Sequence, residues 1–173
     1  MTKKISFGLS EQEIDRAIKE LEEYKREFLR KCEELRLRVA ERIREKSQEG
    51  FNNAIVDDLL PDSGGARMAQ VSVVTENSDD VTLVIAQGTD AVWVEFGAGV
   101  YHNGSVGSSP NPYGSTLGFT IGSFGDNGRK KTWGFYENGD LKLTHGTPAT
   151  MPMFNAAKSV LDEINDIAKE VFG

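Results

Sequence analysis

The chain has 173 residues with 20 Lys and Arg against 27 Asp and Glu, a net charge of −7. Apolar and charged fractions of 38% and 27% exclude wholesale disorder, and the length predicts one domain over residues 1–173. No run of about eighteen apolar residues offers a membrane span, Met1–Ser10 lacks the apolar core of a signal peptide, and a single cysteine excludes an internal disulfide.

In chain order, Ile5–Leu9 reads as an edge strand or as a staple, with Leu9 packing on Ile14 or a neighbour. Ser10 and Glu13 then form a capping box that opens a long helix over Ser10–Gly50. Apolar residues recur three or four apart at Ile14, Ile18, Leu21, Tyr24, Phe28, Cys32, Leu35, Val39 and Ile43. They draw one stripe on a helix whose other faces are Glu, Lys and Arg. At about 1.5 Å per residue, forty residues reach about 60 Å. A compact chain of this size is roughly 40 Å across. The helix therefore bends around its own domain, or a partner covers its overhang. A two-stranded coiled coil fits poorly, because the a/d register fails after Phe28 and puts Lys31 and Arg38 on d positions. Cys32, on the stripe, reads as a core thiol.

Beyond Gly50, Phe51–Leu60 resumes an apolar pattern that could continue the helix after a break, and Pro61 ends it. Pro61-Asp62-Ser63-Gly64-Gly65 is a turn. Met68–Thr75 and Val81–Gln87 read as a hairpin. Asp90–Gly99 fits a strand or one helical turn. His102–Gly118, rich in Gly, Ser, Asn and Pro, reads as a long exposed loop. Leu117–Phe124 and Lys131–Tyr136 read as strands about a turn at Asp126-Asn127-Gly128. Glu137-Asn138-Gly139-Asp140 is a hairpin turn leading into Leu141–Thr144. Pro148 and Pro152 bracket a stiff connector, and a last amphipathic helix covers about Met153–Val171. The expected fold is α+β: a long N-terminal helix and a C-terminal helix packed on an antiparallel, hairpin-built sheet.

A search for chemistry finds no catalytic constellation. His102 and His145 lack a second ligand at metal-site spacing, and both read as surface histidines. Gly104–Gly107 and Gly122–Gly125 carry no Walker lysine, and Gly97-Ala98-Gly99 is not followed by a helix signature. Asp57-Asp58 and Asp79-Asp80 are sequence neighbours whose side chains point apart. Arg129-Lys130-Lys131 reads as a solvated hairpin end. No enzyme activity, cofactor or metal is expected. Glu95, a lone carboxylate between Val94 and Phe96, predicts a structural role, hydrogen-bonded by backbone N–H groups of the glycines that follow. Ser10–Glu49 is nearly balanced, with eleven basic and twelve acidic residues, whereas the remainder holds nine and fifteen. That acidity argues against sequence-reading of nucleic acid and leaves open a surface past which DNA slides without sticking.

Three segments in fixed order carry a resemblance. Pro61-Asp62-Ser63-Gly64 looks like the Pro-x-Asp-Thr/Ser-Gly turn of a family of tailed-bacteriophage neck proteins, the tail-completion, head–tail joining or minor capsid components. Val94-Glu95-Phe96-Gly97-Ala98-Gly99 resembles that family's V-E-F-G-T-G segment, with Ala98 in place of Thr. Gly146–Ala157, containing Pro148 and Pro152, is similar to the family's R-P-F-L-x-P-A approach to the C-terminal helix, with Met151-Pro152-Met153 in place of Arg-Pro-Phe. The resemblance covers roughly Gly8 to the C-terminus, and the segment 102–144 is longer than in the shorter family members. It implies a structural virion protein assembled in the bacterial cytoplasm, a ring of copies of itself, six-fold, around the DNA channel of the neck. Its partners would be the head connector and the tail tube, with no membrane. Pro61, Asp62, Gly64, Glu95, Phe96, Gly97, Gly99, Pro148 and Pro152 are the expected structural motif residues. The overhanging helix and the 102–118 loop are the candidate contact faces, with Phe28, Leu35, Val39 and Tyr113 as interface residues. A tail-terminator ring, a non-viral helical adaptor and a hydrolase using His102 or His145 are the alternatives.

Overall fold

The computed structural model describes residues 5–102, 109–120 and 124–173. Helix α1 spans Glu11–Asn52. The Ser10 hydroxyl oxygen accepts from the Glu13 backbone N–H at 3.4 Å and the hydroxyl donates to Glu13 Oε2 at 2.7 Å, so Glu13 answers the side chain of Ser10. Leu9 is 93% exposed and staples nothing. Nor do residues 5–9 form a strand; Ile5, Ser6 and Phe7 lie against Glu13, Arg16 and Glu20, where Ala17 is buried.

The helix neither breaks at Gly50 nor resumes toward Leu60. It runs on to Asn52, and the Asn53 N–H closes it on the Glu49 carbonyl at 3.2 Å. Gly50 marks a crossing: a Cβ there would stand 2.9 Å from Pro152 Cβ. From that point helix α3, Pro152–Phe172, runs antiparallel along α1. Lys46 Nζ reaches Ser159 Oγ at 2.9 Å and Glu163 at 2.7 Å, Arg38 reaches Glu170 at 3.4 Å, and Phe172 meets Phe28 with ring centroids 5.8 Å apart.

Strands β1 (Ile55–Val56) and β2 (Arg67–Met68) pair antiparallel, which takes Met68 out of the expected hairpin. That hairpin is β3 (Ser72–Asn77) with β4 (Thr82–Gln87), in register Ser72↔Gln87. The Gln48 side chain of α1 acts as a strand edge for it: its amide donates to the Val71 carbonyl and its oxygen accepts from the Val73 N–H, at 2.9 and 2.8 Å. At the far end Arg36 Nη1 donates to the Asp79 carbonyl at 2.9 Å. Helix α2 (Asp90–Phe96) settles the ambiguous segment as helical.

A third pair, β5 (Trp133–Glu137) and β6 (Asp140–Thr144), turns through Asn138 and Gly139, both at positive φ as a type I′ turn requires. The expected strand at Leu117–Phe124 is not formed by its described residues. The N–H groups of Leu117 and Phe119 bond back to Tyr113 and Gly114, so local turns take the donors a ladder would need. Residues 121–123 lie outside the described residues, as do Gly104–Gly107. The Asp126-Asn127-Gly128 signal falls on a single turn with positive φ from Gly125 through Gly128, after which β5 pairs with β6 instead. Within the described part of the 102–118 loop, Ser109 and Asn111 are buried rather than exposed.

The fold is thus α+β, with the β structure divided into three separate two-stranded antiparallel ribbons. Its core gathers Phe51, Ala54, Val56, Val73, Ala91 and Val94 where the end of α1 meets the hairpin and α2.

Candidate functional site

Helix α3 begins with a defect. Met151, at the cap position, sits in the left-handed region (φ 54, ψ 52) and has no side-chain oxygen to offer the first N–H groups. Glu95, the last-but-one residue of α2, supplies it. Its Oε2 accepts from the Met153 N–H at 2.9 Å, and its Oε1 accepts from the Phe154 N–H at 3.0 Å and from Asn111 Nδ2 at 2.8 Å. The carboxylate also meets the positive end of the helix dipole. Burial pushes the Glu95 carboxyl above the ordinary glutamate range, while its three N–H donors act in the opposite sense. The carboxylate is hydrogen-bonded, with donors from α3 and Asn111 rather than the expected Gly97 and Gly99.

Those glycines do other work. Gly97 (φ 80) ends α2, its N–H bonding to the Trp93 carbonyl at 2.7 Å. Ala98 and Thr147 exchange backbone bonds at 2.9 and 2.7 Å. Gly99 (φ 64) accepts from Trp133 Nε1 at 2.8 Å, and a Cβ at Gly99 would enter that indole. Phe96 stacks on Phe119 with centroids 4.2 Å apart. Past exposed Pro148, the Thr150 and Met151 N–H groups bond to the Val94 carbonyl, and buried Pro152 starts α3. Two of the three motif segments therefore meet. The third does not join them: Pro61–Ser63 is a 3-10 turn whose Ser63 Oγ accepts from the Leu143 N–H at 2.9 Å, with Gly64 at φ 122 and Asp62 exposed.

One polar node gave no sequence signal. Arg67 grips Asp90 with both guanidinium arms, at 2.7 and 2.9 Å, and reaches Asp57 at 3.2 Å; the Gln70 N–H adds a bond to Asp90 at 3.0 Å. Asp90 is buried, and the Arg67 guanidinium holds its carboxyl below the usual aspartate value. A carboxyl depressed on folding contributes stability that is present above its unfolded value and lost as pH falls through its folded one. Asp90→Asn is expected to cost about 2 kcal/mol at neutral pH, allowing for the partial exposure of Arg67. Urea titrations over a pH series should show that difference shrinking as pH falls below about 4, the unfolded aspartate range. A difference constant with pH would mean that the ion pair contributes nothing.

The histidines are not drawn into either node. The Nδ1 of exposed His145 lies 2.8 Å from the Lys131 carbonyl and 3.4 Å from Thr132 Oγ1. The His102 ring packs over Gly128, whose carbonyl accepts the His102 N–H at 3.1 Å. Among the described residues no three His, Cys, Asp or Glu could together hold a metal ion, and no helix is long and apolar enough to cross a membrane.

Two apolar surfaces complete the picture. The first is the overhang: α3 ends against Phe28, and α1 continues past it with Ile14, Ile18 and Leu21 exposed, Ile18 at 48% and Leu21 at 54%. The second is a trough on the other half of α1. One cavity of about 730 Å³ is bounded by Phe51 of α1, Ala86 of β4, Phe96 of α2, and Phe154 and Leu161 of α3. A second, of about 370 Å³, is lined by Cys32, Leu35, Val39 and Thr82; Ile43 and Val84 line both, so the two lie end to end along α1. Of the expected interface residues, Leu35 and Val39 lie half-buried on the trough floor. Tyr113 stands exposed on its rim, edge-on to Phe154 at 6.2 Å, and Phe28 is only partly covered by Phe172.

No family model, curated protein or solved structure matches the chain.

Proposed function

We propose that this chain is a structural subunit of a tailed-phage neck, a head–tail joining or tail-completion protein that forms a ring around the DNA channel. The observation that carries the reading is the overhang. A helix of 42 residues, about 63 Å long at 1.5 Å per residue, leaves its own domain with an apolar stripe still exposed. Soluble monomers rarely leave a large continuous apolar surface uncovered, and such surfaces mark assembly sites. The neck-like segments support the specific assignment, because Val94–Gly99 and the approach to α3 form one hydrogen-bonded unit despite their separation in sequence. In this reading the head connector and tail tube are the partners, the virion is the site of action, and the acidic remainder of the chain lets DNA pass without sticking.

Negative-stain microscopy with mass photometry on the purified chain tests it. The expected result is a closed annulus of fixed stoichiometry with a channel wide enough for duplex DNA. Discrete dimers joined through α1 would overturn the ring and favour a helical adaptor. A monomer at every concentration would overturn it as well.

A further inference from the structure

The trough and the overhang have matching dimensions. From Cys32 to Phe51 the trough floor follows nineteen residue steps of α1, about 28 Å at 1.5 Å per residue. The overhang before Phe28 is a segment of seventeen residues, Glu11–Glu27, about 26 Å long by the same rise. One is a ridge with apolar side chains at i, i+4 and i+7. The other is a furrow between β4 and α3 with apolar walls. A rigid helix separates them, so the ridge of one chain cannot fold back into its own furrow.

The polar groups also match. The overhang carries seven acidic and four basic residues between Glu11 and Glu27. The trough is lined by Arg36 at one end and Lys158 at the other, and its one lining carboxylate among the described residues, Glu95, is already held by the Met153 and Phe154 N–H groups. At the Arg36 end two buried polar atoms, Arg36 Nε and Thr82 Oγ1, lack a hydrogen-bond partner. Both atoms are already sealed from solvent, so the charge match rests on the accessible Arg36 and Lys158 side chains.

We infer that the N-terminal overhang of α1 docks into the α1–β4–α3 trough of a second copy of this chain, Ile18 and Leu21 downward. The contact joins two different faces, so each subunit gives a ridge and receives one, and repetition yields a ring or a filament. This deepens the ring reading and rests on it.

Two exposed-site variants test the contact without touching the core. Ile18→Asp with Leu21→Asp spoils the ridge and leaves the furrow; Val92→Glu with Leu161→Glu, both exposed and lining the larger cavity, spoils the furrow and leaves the ridge. Circular dichroism melts confirm that each variant is folded. Each alone is expected to lose all assembly and run as a monomer in mass photometry. Mixed, they are expected to form a heterodimer and nothing larger, because one intact ridge meets one intact furrow and both ends are then blocked. Retention of wild-type assemblies by either variant would overturn the contact, and so would a mixture that stays monomeric. The outcomes separate the two proposals. Rings that survive both variants would leave the neck reading standing and sink this contact; capped heterodimers with no closed ring in the wild type would do the reverse.

Discussion

Replacing Glu95 by Ala is expected to lower stability by about 3 kcal/mol, because three donors, one buried and two partly buried, lose their acceptor together. Two of them are the Met153 and Phe154 N–H groups in the first turn of α3, which Met151 cannot serve. The third is the Asn111 amide, which is itself buried. Glu95→Gln separates charge from shape. Its oxygen can still accept, but its NH₂ group would oppose a backbone N–H, so a loss of about 2 kcal/mol is expected. Urea unfolding at neutral pH, with an unchanged m-value, reads both losses. If Glu95→Ala costs less than half a kcal/mol, the carboxylate does not cap α3.

Phe51→Ala should be the most damaging single truncation, at about 3–5 kcal/mol. Phe51 is wholly buried at the end of α1, in the cluster with Val56, Val73 and Val94. It also bounds the inner end of the trough, so removing the ring enlarges a space that is already open. The surroundings are backbone elements held by their own hydrogen bonds, which limits collapse around the void. Phe51→Leu, which keeps most of the volume, should cost less than about 1.5 kcal/mol. Equal losses for the two variants would show that ring volume is not what matters there. A domain with an ordinary margin of about 5–15 kcal/mol would remain folded as Phe51→Leu and approach its limit as Phe51→Ala.

The two long helices and the Asn138-Gly139 turn are legible in the residues because each has a strong local signal: a sustained 3.6 period, or a dipeptide that accepts positive φ at both positions. Helix α2 is not, since seven residues make fewer than two turns and suit either period. Gly50 misleads for a different reason. It resembles a helix stop, yet its missing Cβ makes room for Pro152, a contact that only tertiary structure reveals. Leu117–Phe124 alternates like a strand, but Tyr113 and Gly114 capture the donors locally. The Glu95 role could be anticipated from a carboxylate among apolar neighbours, whereas its donors lie 16, 58 and 59 residues away and leave no nearby trace. Arg67 and Asp90 look like solvated charges in the chain and become a node only when β2 brings them together. The trough cannot be read from periodicity at all, because it arises where β4, α2 and α3 fail to fill the space beside α1.

The borrowed cap at the start of α3 also constrains the order in which the chain can fold. Helix α1 holds its own start through Ser10 and carries local ion pairs such as Arg38–Glu34, so it can form early from contacts close in sequence. The first turn of α3 cannot. Its N–H groups wait for a carboxylate delivered by α2 and held by Asn111, and long-range closures of that kind come late because chain entropy must be overcome first. During synthesis α1 therefore emerges early, and the part of its stripe that α3 covers stays bare until those 21 residues follow. Throughout that interval the nascent chain presents its stickiest surface with no partner of its own.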